Sequence, residues 1–253
     1  QNILVSRFIY NIKAFINFAL ADQDLDPDTI SKRILLALTY KKNSWKEQTA
    51  FGEFITSRGI TKLLHFTKVE NVPKILAHGL IPRRYLEFEA IRIAIRPTFA
   101  DDRTNGQRGH NLLSISFPDY LSFQHLSKRA TSSWAILLLS PQLIIDHECG
   151  FEETPSDSKR FDVGKGTNAA YRLFGNPVLR TRLNLPRHFT TNPKSVVLEF
   201  SVVPPSFIDE IHVYDEKYLD RLINSTIDMN TRIKADKTFF EERCDVSYWR
   251  DLL

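Results

Sequence analysis

Cysteine is scarce: Cys149 and Cys244 are the only two in 253 residues, far apart, in no CxxC pair and beside no histidine cluster. Such a pattern argues against both a zinc site and a disulfide framework, and unpaired thiols in a reducing cytoplasm are the expectation. Long apolar runs are missing too. No stretch reaches the roughly 18 residues of a membrane-spanning helix. The apolar start from Asn2 to Leu20 has neither a basic leader nor a small-residue cleavage site. A cytoplasmic protein without membrane attachment is expected. Internal repeats and low-complexity tracts are also absent.

What is present suits a globular chain. A hydrophobic fraction of 42% over this length can bury a core, in one domain or one domain plus an extension. The net charge of +4 favours a polyanionic partner without having the strength of a dedicated nucleic-acid binder.

Two textures follow one another. Residues 1–58 read as a helical extension of three helices. Leu4, Phe8, Ile12, Phe15, Ile16 and Ala19 fall at helical spacing. Asp26-Pro27 then opens a second helix with the stripe Ile30, Ile34, Leu35 and Leu38. Ser44 with Glu47 forms a capping box for the third, which Gly59 stops. From residue 59 to 253 short β-type runs dominate. The candidates are Lys62 to Phe66, Leu112 to Phe117, Trp134 to Leu139, Ser195 to Val202 and Glu210 to Tyr214, with a helix from Val69 to Ala77 closed by Gly79. This part is α+β. Glu152 to Gly166 reads as a polar loop, and the chain returns to helix after about Tyr218.

Four constellations can carry chemistry. His65 and Thr67, two apart on a strand, point to one side, with Asn71 in the next helix turn. Arg103 lies in the turn Asp101 to Gly106, where a guanidinium can fork onto a diphosphate. Asn168 begins Asn168-Ala169-Ala170 after Cys149-Gly150-Phe151 and reads as a helix cap, with free N–H groups beside it. The fourth is the ordered set Thr191-Asn192-Pro193, a strand through Val196 and Glu199, and Val203-Pro204-Pro205. Alone, the His-x-Thr pair and the Asn168 cap read first as structural, and Arg103 is as compatible with a solvated surface arginine as with a ligand.

Taken in order, these motifs resemble the DarT family of NAD⁺-dependent nucleic-acid ADP-ribosyltransferases, the toxin half of toxin-antitoxin pairs, over about Leu63 to Asp215. The family's His-x-Thr strand and following Asn match His65, Thr67 and Asn71. Its Arg-Leu-Asp-Gly turn is Arg103 to Gly106 here. A Ser-Ile-Ser-Phe-Pro-Asn-Tyr segment matches Ser114 to Tyr120 at all but one place, and Asn168 to Ala170 are kept. The resemblance implies an ADP-ribosyltransferase-like split β-sheet core. It also implies NAD⁺ as co-substrate held by His65, Thr67, Asn71, Ser116, Tyr120 and Asn168, no metal, and a base of single-stranded DNA or RNA as acceptor. The basic pairs Lys128-Arg129, Arg180-Thr181-Arg182 and Arg187-His188 can follow a phosphate backbone or simply be solvated. An antitoxin, macrodomain-type or sequestering, is the implied protein partner. Arg103 is the implied positioning arginine.

One departure matters. Aligned without gaps, Asn192 to Glu199 puts Val196 where the family has its catalytic Glu. Glu199 falls on the opposite side of a regular strand and reaches the same face only through a bulge. Three explanations stay open: an inactivated copy, a divergence in which Glu199 or another carboxylate serves, or a fold that now only binds. Acceptors other than nucleobases, a protein or an RNA phosphate, are the alternative chemistries of the fold.

Overall fold

The structure, a computed structural model, describes residues 41–86, 110–123, 134–153, 163–225, 232–250 and 252. The first two expected helices lie outside these residues. The third is α1, Trp45–Arg58. Ser44 caps it through a complete capping box with Glu47, and Gly59, at φ 66, closes it in the left-handed conformation that costs glycine no Cβ clash. Phe51 and Phe54 of α1 enter the same core cluster as the sheet.

Eight strands form that sheet: β1 Leu63–Lys68, β2 Asn111–Ile115, β3 Trp134–Leu139, β4 Cys149–Glu152, β5 Gly164–Lys165, β6 Val196–Glu199, β7 Ile208–Val213 and β8 Arg232–Ala235. Their order is β5-β4-β6-β2-β1-β3-β7-β8. All ladders are antiparallel except β7 with β8, which are parallel and joined through α7, Glu216–Ser225. The expected α+β class stands.

The sheet falls into two halves. β1 runs against β3 for six residue pairs, Leu63↔Leu139 to Lys68↔Trp134, but against β2 for two only, Leu63↔Ile115 and Leu64↔Ser114. β2 then pairs with β6, and β6 with β4, in the second half. The halves therefore part beyond Leu64.

One face carries the main core, with Leu63, Leu113, Ile115, Leu137, Val197, Cys149 and Phe151 under α1 and α2, Val72–His78. The other face carries Leu64, Ile136 and Leu138 beneath Phe239 and Phe240. Alternation along each strand produces both clusters. Gly79 ends α2 at φ 84, and a Cβ there would meet the Val203 carbonyl oxygen at 2.6 Å. This allows the reciprocal bonds between Leu80 and Val203, 2.9 and 3.0 Å.

Several boundaries differ from expectation. β2 stops at Ile115 rather than Phe117 because Ser116 turns the chain through a positive φ. Glu152 belongs to β4 and Gly164–Lys165 to β5, so both flanks of the expected loop are paired as an antiparallel hairpin. Residues 154–162 of that loop lie outside the described residues. The C-terminal region holds β8 as well as helix, because a four-residue strand pairing only along β7 leaves little pattern of its own. α8, Val246–Arg250, follows the buried fork of Arg243 on Asp245, 2.6 and 2.5 Å, and Arg243 also donates to the carbonyls of Thr190 and Thr191. That pair ties the C-terminal segment to the body.

Candidate active site

The opening between the half-sheets is occupied by His65. Where β1 leaves β2, the His65 ring takes over: Nδ1 lies 3.0 Å from the Leu112 carbonyl oxygen. A carbonyl only accepts, so Nδ1 carries the proton. Burial pushes the His65 pKa below the ordinary histidine value, against the pull of this bond. The ring is therefore neutral near pH 7, with Nε2 as an acceptor.

Two residues on, Thr67 is buried and accepts a 3.3 Å hydrogen bond from Asn71 Nδ2 across the 3₁₀ turn Val69–Asn71. The structure thus brings His65, Thr67 and Asn71 together at one end of β1.

Ser116 and Tyr120 sit at the other end of the short ladder. Phe117 N donates to Ile115 O at 2.7 Å around Ser116, whose φ is 62, a γ-turn of the strained, positive-φ sense. Ser116 Oγ and Tyr120 Oη are buried without a hydrogen-bond partner among the described residues. Burial, followed by the charge of Asp245, pushes the Tyr120 pKa to about 12, so this hydroxyl is a neutral donor. Ser114 Oγ and the Asp119 carboxylate brace the turn, accepting from Asp119 N and from Ser122.

Asn168 is placed differently from expectation. Helix α5, Gly166–Arg172, has Lys165 at its cap with no side-chain bond, and Asn168 is an exposed residue inside the first turn. With Gly166 at φ 74 as its first residue, the helix starts three residues earlier than an Asn168 cap would place it. Arg103 lies outside the described residues.

Val196 opens β6 and is 4% exposed. β6 pairs regularly on both sides, with β2 through Val197↔Leu113 to Glu199↔Asn111, and with β4 through Val196↔Glu152 to Glu199↔Cys149. No bulge interrupts it. Glu199 consequently faces away from Val196 into the main core, at 1% exposure. There its carboxylate accepts from Ser201 N at 2.8 Å and from the Ser201 hydroxyl, and meets His147 Nδ1 at 3.2 Å and Cys149 Sγ at 3.3 Å. Burial and the Glu199 charge push the Cys149 thiol well above its ordinary pKa, which leaves it unreactive.

The residue directly opposite Val196 is Glu152, buried to 9% exposure. The sequence reading assigned it to a loop. A four-residue strand offers too short an alternation to reveal its facing, and the only signal was the apolar Cys149 and Phe151 two apart.

Of the basic clusters, Arg180 is committed to structure. Its guanidinium donates to the carbonyls of Phe189, Pro186 and Arg187 and to Thr191 Oγ1. Arg182 lies over the Tyr248 ring at 4.9 Å, and Arg187 is exposed. Lys128 and Arg129 lie outside the described residues.

Among solved structures, the chain is similar to Thermosipho africanus DarTG in complex with ADP-ribose, with a TM-score of 0.50 and 15% identity over 71% of this chain and 51% of that one. It therefore spans about half the length of the Thermosipho chain. Thermus sp. 2.9 DarT superposes with a TM-score of 0.47 and 12% identity, over 72% of this chain, both in complex with NAD⁺ (98% of that chain) and with ADP-ribosylated ssDNA (97%). No protein-family profile and no curated protein matches the sequence. The split α+β sheet of this chain is the fold of the Thermosipho protein.

Proposed function

We propose that this chain binds NAD⁺ at the parting of its half-sheets and transfers ADP-ribose to a base of single-stranded nucleic acid. The observation that carries this reading is His65, a neutral ring wedged between β1 and β2 in a fold shared with a protein solved with ADP-ribose. The motif resemblance runs through the same residues.

The groups suit the co-substrate. Nε2 of His65 can accept a ribose hydroxyl, Thr67 and Asn71 extend the polar edge, and the buried hydroxyls of Ser116 and Tyr120 are donors suited to a carboxamide. Transfer needs the bound NAD⁺ held so that the acceptor base stands in line with C1′ of the nicotinamide ribose, with positive charge on that ribose stabilised. Arg103 is the proposed group for the diphosphate. An unpaired base meets the geometric demand, since a paired one must first leave its stack. An antitoxin that removes or masks the modification is the proposed partner.

Titration calorimetry with NAD⁺ and mass spectrometry of single-stranded DNA and RNA oligonucleotides, on the full chain and on His65→Ala, test the reading. Wild type is expected to bind NAD⁺ at micromolar concentrations, with affinity reduced about tenfold or more in His65→Ala, equivalent to about 1.4 kcal/mol for one lost hydrogen-bonding ring. Absence of NAD⁺ binding by wild type sinks it, and the modified oligonucleotide identifies the acceptor. A second reading, a binding module without turnover, is favoured by one observation only, the valine at 196.

A further inference from the structure

We infer that Glu152 supplies the catalytic carboxylate that position 196 lacks, an inference that rests on the transferase reading above. Glu152 and Val196 are a direct cross-strand pair of β4 and β6, so their side chains leave the same face of the sheet with Cβ atoms about 5 Å apart. The register is held on both sides of the pair. Phe151↔Val197 precedes it, and Ser195 Oγ donates to the Glu153 carbonyl at 2.9 Å just beyond it. Neighbouring strands lie about 4.8 Å apart, a gap that the two methylenes and carboxyl of a glutamate largely span. The Glu152 carboxylate can therefore reach the volume that a carboxylate at 196 would fill, over a valine too short to obstruct it.

The surroundings of Glu152 set it apart from an ordinary surface acid. Two residues back on the same face, Gly150 has no side chain, and a Cβ there would meet Val163 at 2.3 Å and the Phe200 ring at 3.0 Å. An apolar wall thus borders the face. Glu152 is itself buried to 9% exposure on this face. Glu199, the other acid of this half-sheet, points through the opposite face and is held by Ser201, His147 and Cys149.

In the proposed step the C1′–N bond of NAD⁺ breaks and its electron pair leaves with neutral nicotinamide. The Glu152 carboxylate stabilises the oxocarbenium-like ribose. A lone pair of the acceptor base forms the new bond at C1′, and the proton that the base then releases passes to Glu152 and on to solvent.

The test uses the full chain as wild type, Glu152→Gln, Glu152→Asp and Glu152→Gln/Val196→Glu. Calorimetry measures NAD⁺ affinity, circular dichroism the fold, and mass spectrometry transfer to a single-stranded oligonucleotide. Wild type is expected to transfer ADP-ribose. Glu152→Gln should bind NAD⁺ within about twofold of wild type and lose about 10²-fold or more in turnover. Glu152→Asp, which keeps the charge one methylene shorter, should lose turnover with KM unchanged, and the added Val196→Glu should restore transfer to Glu152→Gln. Wild type that binds NAD⁺ but transfers nothing overturns the role of Glu152 and leaves the NAD⁺ site standing, as does a folded Glu152→Gln of full activity. Failure of wild type to bind NAD⁺ removes the transferase reading and the inference together.

Discussion

Ser116 is held at φ 62, a conformation that costs a non-glycine L-residue about 1–2 kcal/mol. Its hydroxyl is buried with no hydrogen-bond partner among the described residues. Both costs fall on one residue beside Tyr120, whose hydroxyl is in the same condition. Strain of this kind clusters at ligand sites and supports the proposed place of Ser116 in the NAD⁺ site. Ser116→Gly should therefore raise stability by about 1 kcal/mol and weaken NAD⁺ binding, the first read from urea unfolding and the second from calorimetry. A variant that loses stability refutes the strain argument. The Ser-Ile-Ser-Phe-Pro pattern was visible in the sequence, but the positive φ was not: it arises where Ser116 N must reach Lys62 O while Phe117 N turns back to Ile115.

At the scale of elements, α1 shows how local signals and packing divide the work. Its start, stop and length were legible, because the Ser44–Glu47 box and Gly59 act within a turn. Its membership of the sheet core was not, since the helix carries little amphipathic signal and buries only Phe51 and Phe54. Phe54 touches Tyr171 and Phe174 edge-on, with ring centroids 4.9 and 5.8 Å away. Phe54→Ala should cost about 3–5 kcal/mol in a single cooperative unfolding transition. A separate, earlier transition for the helix would show that α1 folds independently of the sheet. Strand β4 teaches the converse. Only its pairing with β6 reveals that Glu152 is the cross-strand partner of Val196.

For the whole molecule, histidines partly or fully withdrawn from water contribute to the response to acid. His65, His188 and His212 all have pKa values lowered from 6.5, chiefly by burial. Below 6.5 the unfolded chain takes up protons that the folded chain resists, so stability rises with pH in this window. The contribution is complete above 6.5 and is lost as pH falls through the lowered values. Urea midpoints measured from pH 7.5 to 5.5 should fall, and less steeply in His65→Asn, which can still donate to Leu112. Parallel curves for the two proteins would refute the assignment to His65. The sequence by itself determined what depends on neighbours along the chain: the α+β texture, the caps of α1, the centres of β1, β3 and β7, and the ordered motifs His65 to Asn71 and Ser114 to Tyr120. Tertiary structure alone decided what depends on distant segments meeting. It parted β1 from β2 and put the His65 ring in the gap, it sent Glu199 into the core, and it stood Glu152 beside Val196. The physical reason is register: a strand's facing is set by the ladder of hydrogen bonds to its neighbours, and a shift of one residue reverses it.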